Sequence, residues 1–372
     1  MEYVHNDGEV YFAAANTANG FKSYFENIFN MQEIDKLYVL KGGPGVGKST
    51  FMRKTAELCE KQGLTVEYFL CSSDPSSLDG IIIKEQKCAI VDGTSPHSVE
   101  AKLAGAYEEI IDLGKAWDTQ KLFEKKQQLL SLSSHKKNCY KNAYDYLYVC
   151  KLLKSILEDK VKPHILAEKL KKSAARLSKS ILSDNSGVSG KESIRIINAL
   201  SCKGKIHLCS FEDIADMCIF IKESKPHYGI GIKYMNLVYE QAKKKGADML
   251  VSLSPFDSSV IDGLYFVKEK VSITLCSHTL AENCDRQGKK CRIVNVSRFI
   301  DTASISNTKT ERKFIEKLYD AIEEKALEEL KKAGDTHLLL ETIYASCTDY
   351  TIVKKMLKNF IKNFTEPQKS HQ

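Results

Sequence analysis

Asp257-Ser258-Ser259-Val260-Ile261-Asp262-Gly263 restates Asp74-Pro75-Ser76-Ser77-Leu78-Asp79-Gly80, with both aspartates and the glycine in register at a shift of 183 positions. The same shift carries Gly63 to Gly246, Met52 to Met235, Ile110-Ile111 to Ile293-Val294 and Asp118 to Asp301. A small adjustment brings Leu37–Lys41 over Cys218–Lys222, and the opening segment over Arg195–Leu208. A chain of 372 residues that repeats itself in this way is a tandem duplication, so whatever it folds into must be built twice. Its length also exceeds that of one ordinary core. The division expected is a first domain over 1–182, a polar linker over 183–191, and a second domain over 192–372.

The first copy contains Gly42-Gly43-Pro44-Gly45-Val46-Gly47-Lys48-Ser49-Thr50, which meets the pattern G-x-x-x-x-G-K-[ST] at every fixed position. An apolar run, Leu37–Leu40, leads into it. Phe51, Thr55, Leu58 and Met52, Ala56, Cys59 leave it at helical spacing. Strand, glycine-rich loop and helix in that order predict an α/β fold: two tandem P-loop NTPase-like domains, each a parallel-rich sheet flanked by helices, the second with a degenerate loop. Glycines let the backbone curl until successive N–H groups converge on phosphate at the positive end of the following helix. All nine residues from Gly42 to Thr50 are therefore candidate nucleotide contacts. Lys48 is expected on the β- and γ-phosphates, and Ser49 on Mg²⁺.

Further candidates follow in chain order. Val66–Leu70 reads as a second strand and delivers Asp74 to its carboxyl end, where α/β sheets place ligands. Asp74 is placed to orient an attacking water or a substrate hydroxyl, or else to close an Asx-turn. Cys88-Ala89-Ile90-Val91-Asp92 reads as a buried strand ending in a magnesium carboxylate, which pairs Asp92 with Ser49 as the metal residues. His97, five residues on, is a candidate γ-phosphate sensor or proton shuttle. Among the few arginines, Arg53, Arg286, Arg292 and Arg298 are the candidate fingers. In the second copy Lys48 falls on Gly231, Ser49 on Ile232, Asp92 on Leu275 and His97 on Leu280. Both metal-side groups vanish together, as expected of groups that serve one task. Asp74 and Asp79 persist as Asp257 and Asp262, which favours a structural part for Asp79 and leaves both parts open for Asp74.

Composition narrows the class. The net charge of +7 comes mainly from lysines spread along helical segments, unlike the grouped arginines and aromatics of a nucleic-acid surface, and a nucleic-acid partner is not expected. The twelve cysteines include no C-x-x-C pair and read as reduced thiols, so neither a disulfide framework nor a zinc site is expected. Met1–Gly8 has neither a basic start nor an apolar core, and apolar runs such as Cys218–Ile221 are too short to span a bilayer. These features point to a cytoplasmic protein without a membrane partner. Lys121–Ser180 and Glu311–Phe364 show helical amphipathic spacing and are expected as helical tails of the two halves.

Lys41–Thr50, Cys71–Gly80 and Asp92-Gly93-Thr94-Ser95-Pro96-His97 together resemble a poorly characterised bacterial family of tandem P-loop proteins described as ATPases. The resemblance covers nearly the whole chain. It implies ATP binding with a duplicated P-loop fold and no established substrate. Members of that family can carry a loop in both halves, whereas this chain keeps one. The leading expectation is a Mg–ATP-dependent ATPase whose first domain is active and whose second is regulatory or binds a small-molecule or protein partner. A small-molecule or nucleoside kinase, with Asp74 as base, is the alternative. A nucleotide-sensing interaction protein with negligible turnover is a third.

Overall fold

The computed structural model describes residues 9–96, 99–100, 102–183, 189–276 and 289–365. His97, Arg286, Leu280 and linker positions 184–188 lie outside the described residues. In chain order the first half forms β1 (Glu9–Phe12), β2 (Ala14–Thr17), β3 (Gly20–Ser23), α1 (Phe25–Ile28), β4 (Lys36–Lys41), α2 (Lys48–Lys61), β5 (Val66–Leu70), β6 (Leu78–Ile83), β7 (Cys88–Asp92) and β8 (Glu108–Asp112). Helices α3 (Thr119–Glu124), α4 (Lys126–Val161) and α5 (Ala167–Ile181) follow. The second half repeats the series as β9 (Glu192–Ile194), β10 (Asn198–Ser201), β11 (Gly204–His207), α6 (Ser210–Ile214), β12 (Met217–Lys222), α7 (Ile230–Lys244), β13 (Met249–Leu253), β14 (Ile261–Phe266), β15 (Val271–Cys276) and β16 (Lys290–Asn295). It ends in α8 (Lys309–Ser346) and α9 (Tyr350–Thr365).

The two six-stranded sheets have one topology: β1-β5-β6-β7-β4-β8 in the first and β9-β13-β14-β15-β12-β16 in the second. Only β6 and β14 run against their neighbours. A short turn before each returns the chain without the crossover helix that a parallel neighbour requires. Leu37–Leu40 and Cys88–Val91 are buried throughout, as befits parallel strands covered on both faces. The opening hairpin is shorter than its sequence pattern suggests. Its arms are β2 and β3, because Thr17 Oγ1 accepts from Asn19 N–H (3.0 Å) and donates to the Gly20 carbonyl (2.7 Å), while β1 pairs separately with β5. Ser201 closes the β10–β11 hairpin with the same two bonds.

The duplication extends past the sheets into the tails. Asp118 N–H donates to the Cys347 carbonyl (2.8 Å) and Asp349 N–H to the Ala116 carbonyl (2.8 Å). In the other repeat Asp301 N–H donates to the His164 carbonyl (2.9 Å) and Leu166 N–H to the Phe299 carbonyl (2.8 Å), every residue displaced by 183. Asp118 and Asp301 thus match because each caps the first turn after its sheet, accepting from Lys121 N–H and Ser304 N–H.

The chain divides into two compact units. One comprises residues 1–13, 29–140 and 329–372; the other comprises 14–28 and 141–328. Each sheet is therefore sealed by the tail that belongs, in sequence, to the other repeat. In the first unit Phe360 of α9 lies edge-on to Tyr38 of β4, at 4.9 Å, and 5.2 Å from Phe51 of α2. In the second, Leu170, Ala174 and Leu177 of α5 share a core with Tyr234, Met235 and Val238 of α7. Among the described residues no helix is long and apolar enough to cross a membrane.

Candidate functional site

β4 ends at Lys41, and the backbone then turns sharply through Gly42, Gly45 and Gly47, at φ 149°, 70° and 102°. A side chain at Gly45 would be strained at that φ and would also meet the Glu341 carbonyl at 2.5 Å. Gly47 precedes α2 and brings no side-chain acceptor to its first turn, so the N–H groups at the positive end of the helix receive no cap from that residue. Lys48 Nζ folds back to donate to the Gly42 carbonyl (2.7 Å) and the Gly43 carbonyl (2.9 Å).

β7 lies parallel and next to β4, with Asp92 opposite Leu40 at the carboxyl ends of both strands. This adjacency brings Asp92 Oδ2 within 3.4 Å of Lys48 Nζ. Burial pushes the Asp92 carboxyl above its ordinary range. The Lys48 ammonium and the Thr94 hydroxyl and amide, both donating to Oδ1, work in the opposite direction. Ser49 Oγ accepts from Leu78 N–H at 3.2 Å, which fixes the hydroxyl between α2 and β6. The structure thus brings Lys48 and Asp92 together, with Ser49 following Lys48 in the first turn of α2. Among the described residues no group of three or more His, Cys, Asp or Glu could hold a metal ion. A hydroxyl and one carboxylate are still a fitting donor set for Mg²⁺, which takes most of its ligands from phosphate and water.

Asp74 is committed to its turn. Its Oδ1 accepts from Ser76 N–H (3.1 Å) and Ser76 Oγ (2.6 Å), and Asp257 makes the same pair of bonds to Ser259 (3.0 and 2.7 Å). Asp79 is buried on β6; its counterpart Asp262 accepts from Ser252 Oγ (2.7 Å) and Asn198 Nδ2 (2.8 Å). Arg53 donates to the Ser76 carbonyl (2.7 Å), and Arg298 stacks on Phe299 in the second unit. Several groups around the loop are not foreseeable from the motif and its neighbours. The indole of Trp117 packs against Gly43 and Tyr344, Tyr350 Oη donates to the Gly45 carbonyl (2.7 Å), and the α8 side chains His337 and Glu341 share the electrostatic field of Lys48 and Asp74. For His337, Glu341 and Tyr350 the only trace was an amphipathic pattern more than two hundred residues away, and for Trp117 there was none.

The corresponding place in the second unit is built differently. Gly229 precedes α7 in the left-handed region at φ 70°, but the first-turn N–H groups of Ile230 and Gly231 donate to Glu223 Oε1 (3.1 Å) and Oε2 (2.8 Å). A carboxylate of the chain itself occupies the helix terminus. Burial raises the Glu223 carboxyl to about 7 against the pull of those two amides. Leu275, opposite Ile221 as Asp92 is opposite Leu40, approaches Gly231 where the first unit has its ion pair. Comparison with models of known families, with curated proteins and with solved structures found no match to this chain.

Proposed function

We propose that the first unit binds Mg–ATP at the loop Gly42–Thr50 and that the protein is a P-loop ATPase whose second unit has a regulatory or partner-binding part. One observation carries this reading. Lys48 and Asp92 meet at 3.4 Å beside a helix terminus without a side-chain cap, and the repeat that lacks both fills the same terminus with Glu223. A carboxylate standing on those amides marks the position as one that wants an anion.

Each residue then has a part. The loop amides and Lys48 hold the phosphates, and Lys48 would exchange its carbonyl partners Gly42 and Gly43 for phosphate oxygens. Ser49 and Asp92 would hold Mg²⁺, which when bound neutralises charge on the phosphates. The kinase reading requires Asp74 as a base. The identical turn at Asp257, in a repeat without the lysine, speaks for a structural part instead.

The chain's single tryptophan supplies the assay, because Trp117 lies against Gly43. Titration of Mg–ATP should change its fluorescence, and Lys48→Ala should remove the change. Unaltered affinity in that variant would refute the proposal. Phosphate release at ordinary enzyme rates separates the ATPase from a nucleotide sensor.

A further inference from the structure

Lys136 of α4 comes together with His337 and Glu341 of α8 beside the point where the α8 backbone rests on the glycine-rich loop of the first unit. Lys136 of α4 donates to His337 Nδ1 of α8 across 3.3 Å. Lysine can only donate, so Nδ1 is bare and the ring proton is on Nε2, 3.7 Å from Glu341 Oε1. Burial, with the Lys136 and Lys48 ammonium groups, pulls His337 down to about 4 and keeps the ring neutral. The turn of α8 that bears Glu341 rests on the loop itself, its carbonyl being the atom that a Cβ at Gly45 would strike.

Lys136 is half-buried, and among the described residues no carboxylate lies within 4 Å of its ammonium. Its nearest partner is a neutral imidazole. A desolvated cation in that position is unfavourable until an anion joins it. It also lies within electrostatic reach of Glu341 and of Cys71 at the carboxyl end of β5. Arg53, the arginine on α2, is bonded to Ser76.

We propose that Lys136 is a further catalytic residue, carrying a second positive charge to the phosphoryl group under transfer, with His337 as its positioning residue. The inference rests on the ATPase reading above. In hydrolysis the water oxygen bonds to the γ-phosphorus while the bond from that phosphorus to the β,γ-bridging oxygen breaks. ADP leaves with the electron pair, and the water's proton passes to the released phosphate or to solvent. Lys136 neutralises charge on the transferred oxygens, as an arginine finger does, and exchanges no proton.

The experiment compares wild type with Lys136→Met, Lys136→Gln, Lys136→Arg, His337→Ala and, as the control for nucleotide binding, Lys48→Ala. Three quantities are read: Mg–ATP affinity by Trp117 fluorescence, phosphate release, and trapping of Mg–ADP with fluoroaluminate. Loss of charge at Lys136 should leave affinity within about fivefold but lower kcat about 100-fold and abolish trapping. Lys136→Arg should recover at least about tenfold of the lost rate, and His337→Ala should lower kcat with little change in KM. Lys136→Gln provides the same test should the methionine variant not fold. Turnover within about threefold of wild type in a folded Met or Gln variant overturns the proposal. So does a wild type that binds Mg–ATP with neither turnover nor trapping. A wild type that fails to bind Mg–ATP overturns the underlying reading instead.

Discussion

Glu223→Gln tests whether the second repeat has closed its own anion site. The folded carboxyl titrates near 7 against an ordinary 4.5, because burial outweighs its two amide bonds and the Lys154 ammonium, while Glu158 adds to the rise. A folded value above the unfolded one means that the native state binds the extra proton. This contribution is therefore fully present below pH 4.5 and is lost as pH rises to about 7. The complete span amounts to about 3 kcal/mol, of which about 2.5 kcal/mol falls between pH 5 and pH 8. Glutamine keeps the shape but does not titrate, and its amide can accept from only one of the Ile230 and Gly231 N–H groups. Urea unfolding followed by circular dichroism at pH 5 and pH 8 measures the stability of both proteins. Relative to the variant, the wild type should lose about 2.5 kcal/mol of stability as pH rises from 5 to 8. A gap that changes by less than about 0.5 kcal/mol would mean that Glu223 is not the buried carboxylate described.

Other outcomes follow from the same geometry. Asp74→Asn should keep the Ser76 turn and lose less than about threefold in ATP turnover, whereas a base at that position would cost about 100-fold or more. Asp92→Asn should weaken the magnesium dependence of nucleotide binding by about tenfold, read as the Mg²⁺ concentration for half-maximal Trp117 response; unchanged dependence removes Asp92 from the metal site. Gly45→Val places a side chain at φ 70° and against the Glu341 carbonyl, so thermal unfolding of the first unit should show a loss of at least about 2 kcal/mol.

Much of this architecture could be read along the chain because it is local or periodic. Leu37–Leu40, the glycine run and the spacing from Phe51 to Cys59 specify a strand, a turn and a helix from neighbours within a few positions. The 183-residue register anticipates that Asp92 and Leu275 occupy one place in two sheets, and they pair with the penultimate residues of β4 and β12, Leu40 and Ile221. The persistence of Asp74 as Asp257 reflects a turn closed by bonds spanning two residues, again a local matter.

The tertiary structure alone decided which tail seals which sheet. Periodicity in α4 and α8 shows that one face is apolar but not what that face meets, and Lys136 and His337 come together from positions 201 residues apart. The surroundings of the glycine-rich loop, Trp117, His337, Glu341 and Tyr350, follow from that choice of partner. The capping of α7 by Glu223 depends likewise on how the degenerate loop folds back on its own helix. Hydrogen bonds within a turn are set by the order of residues, whereas burial against a distant segment is set by which surfaces exclude the most water, and that is a property of the whole fold.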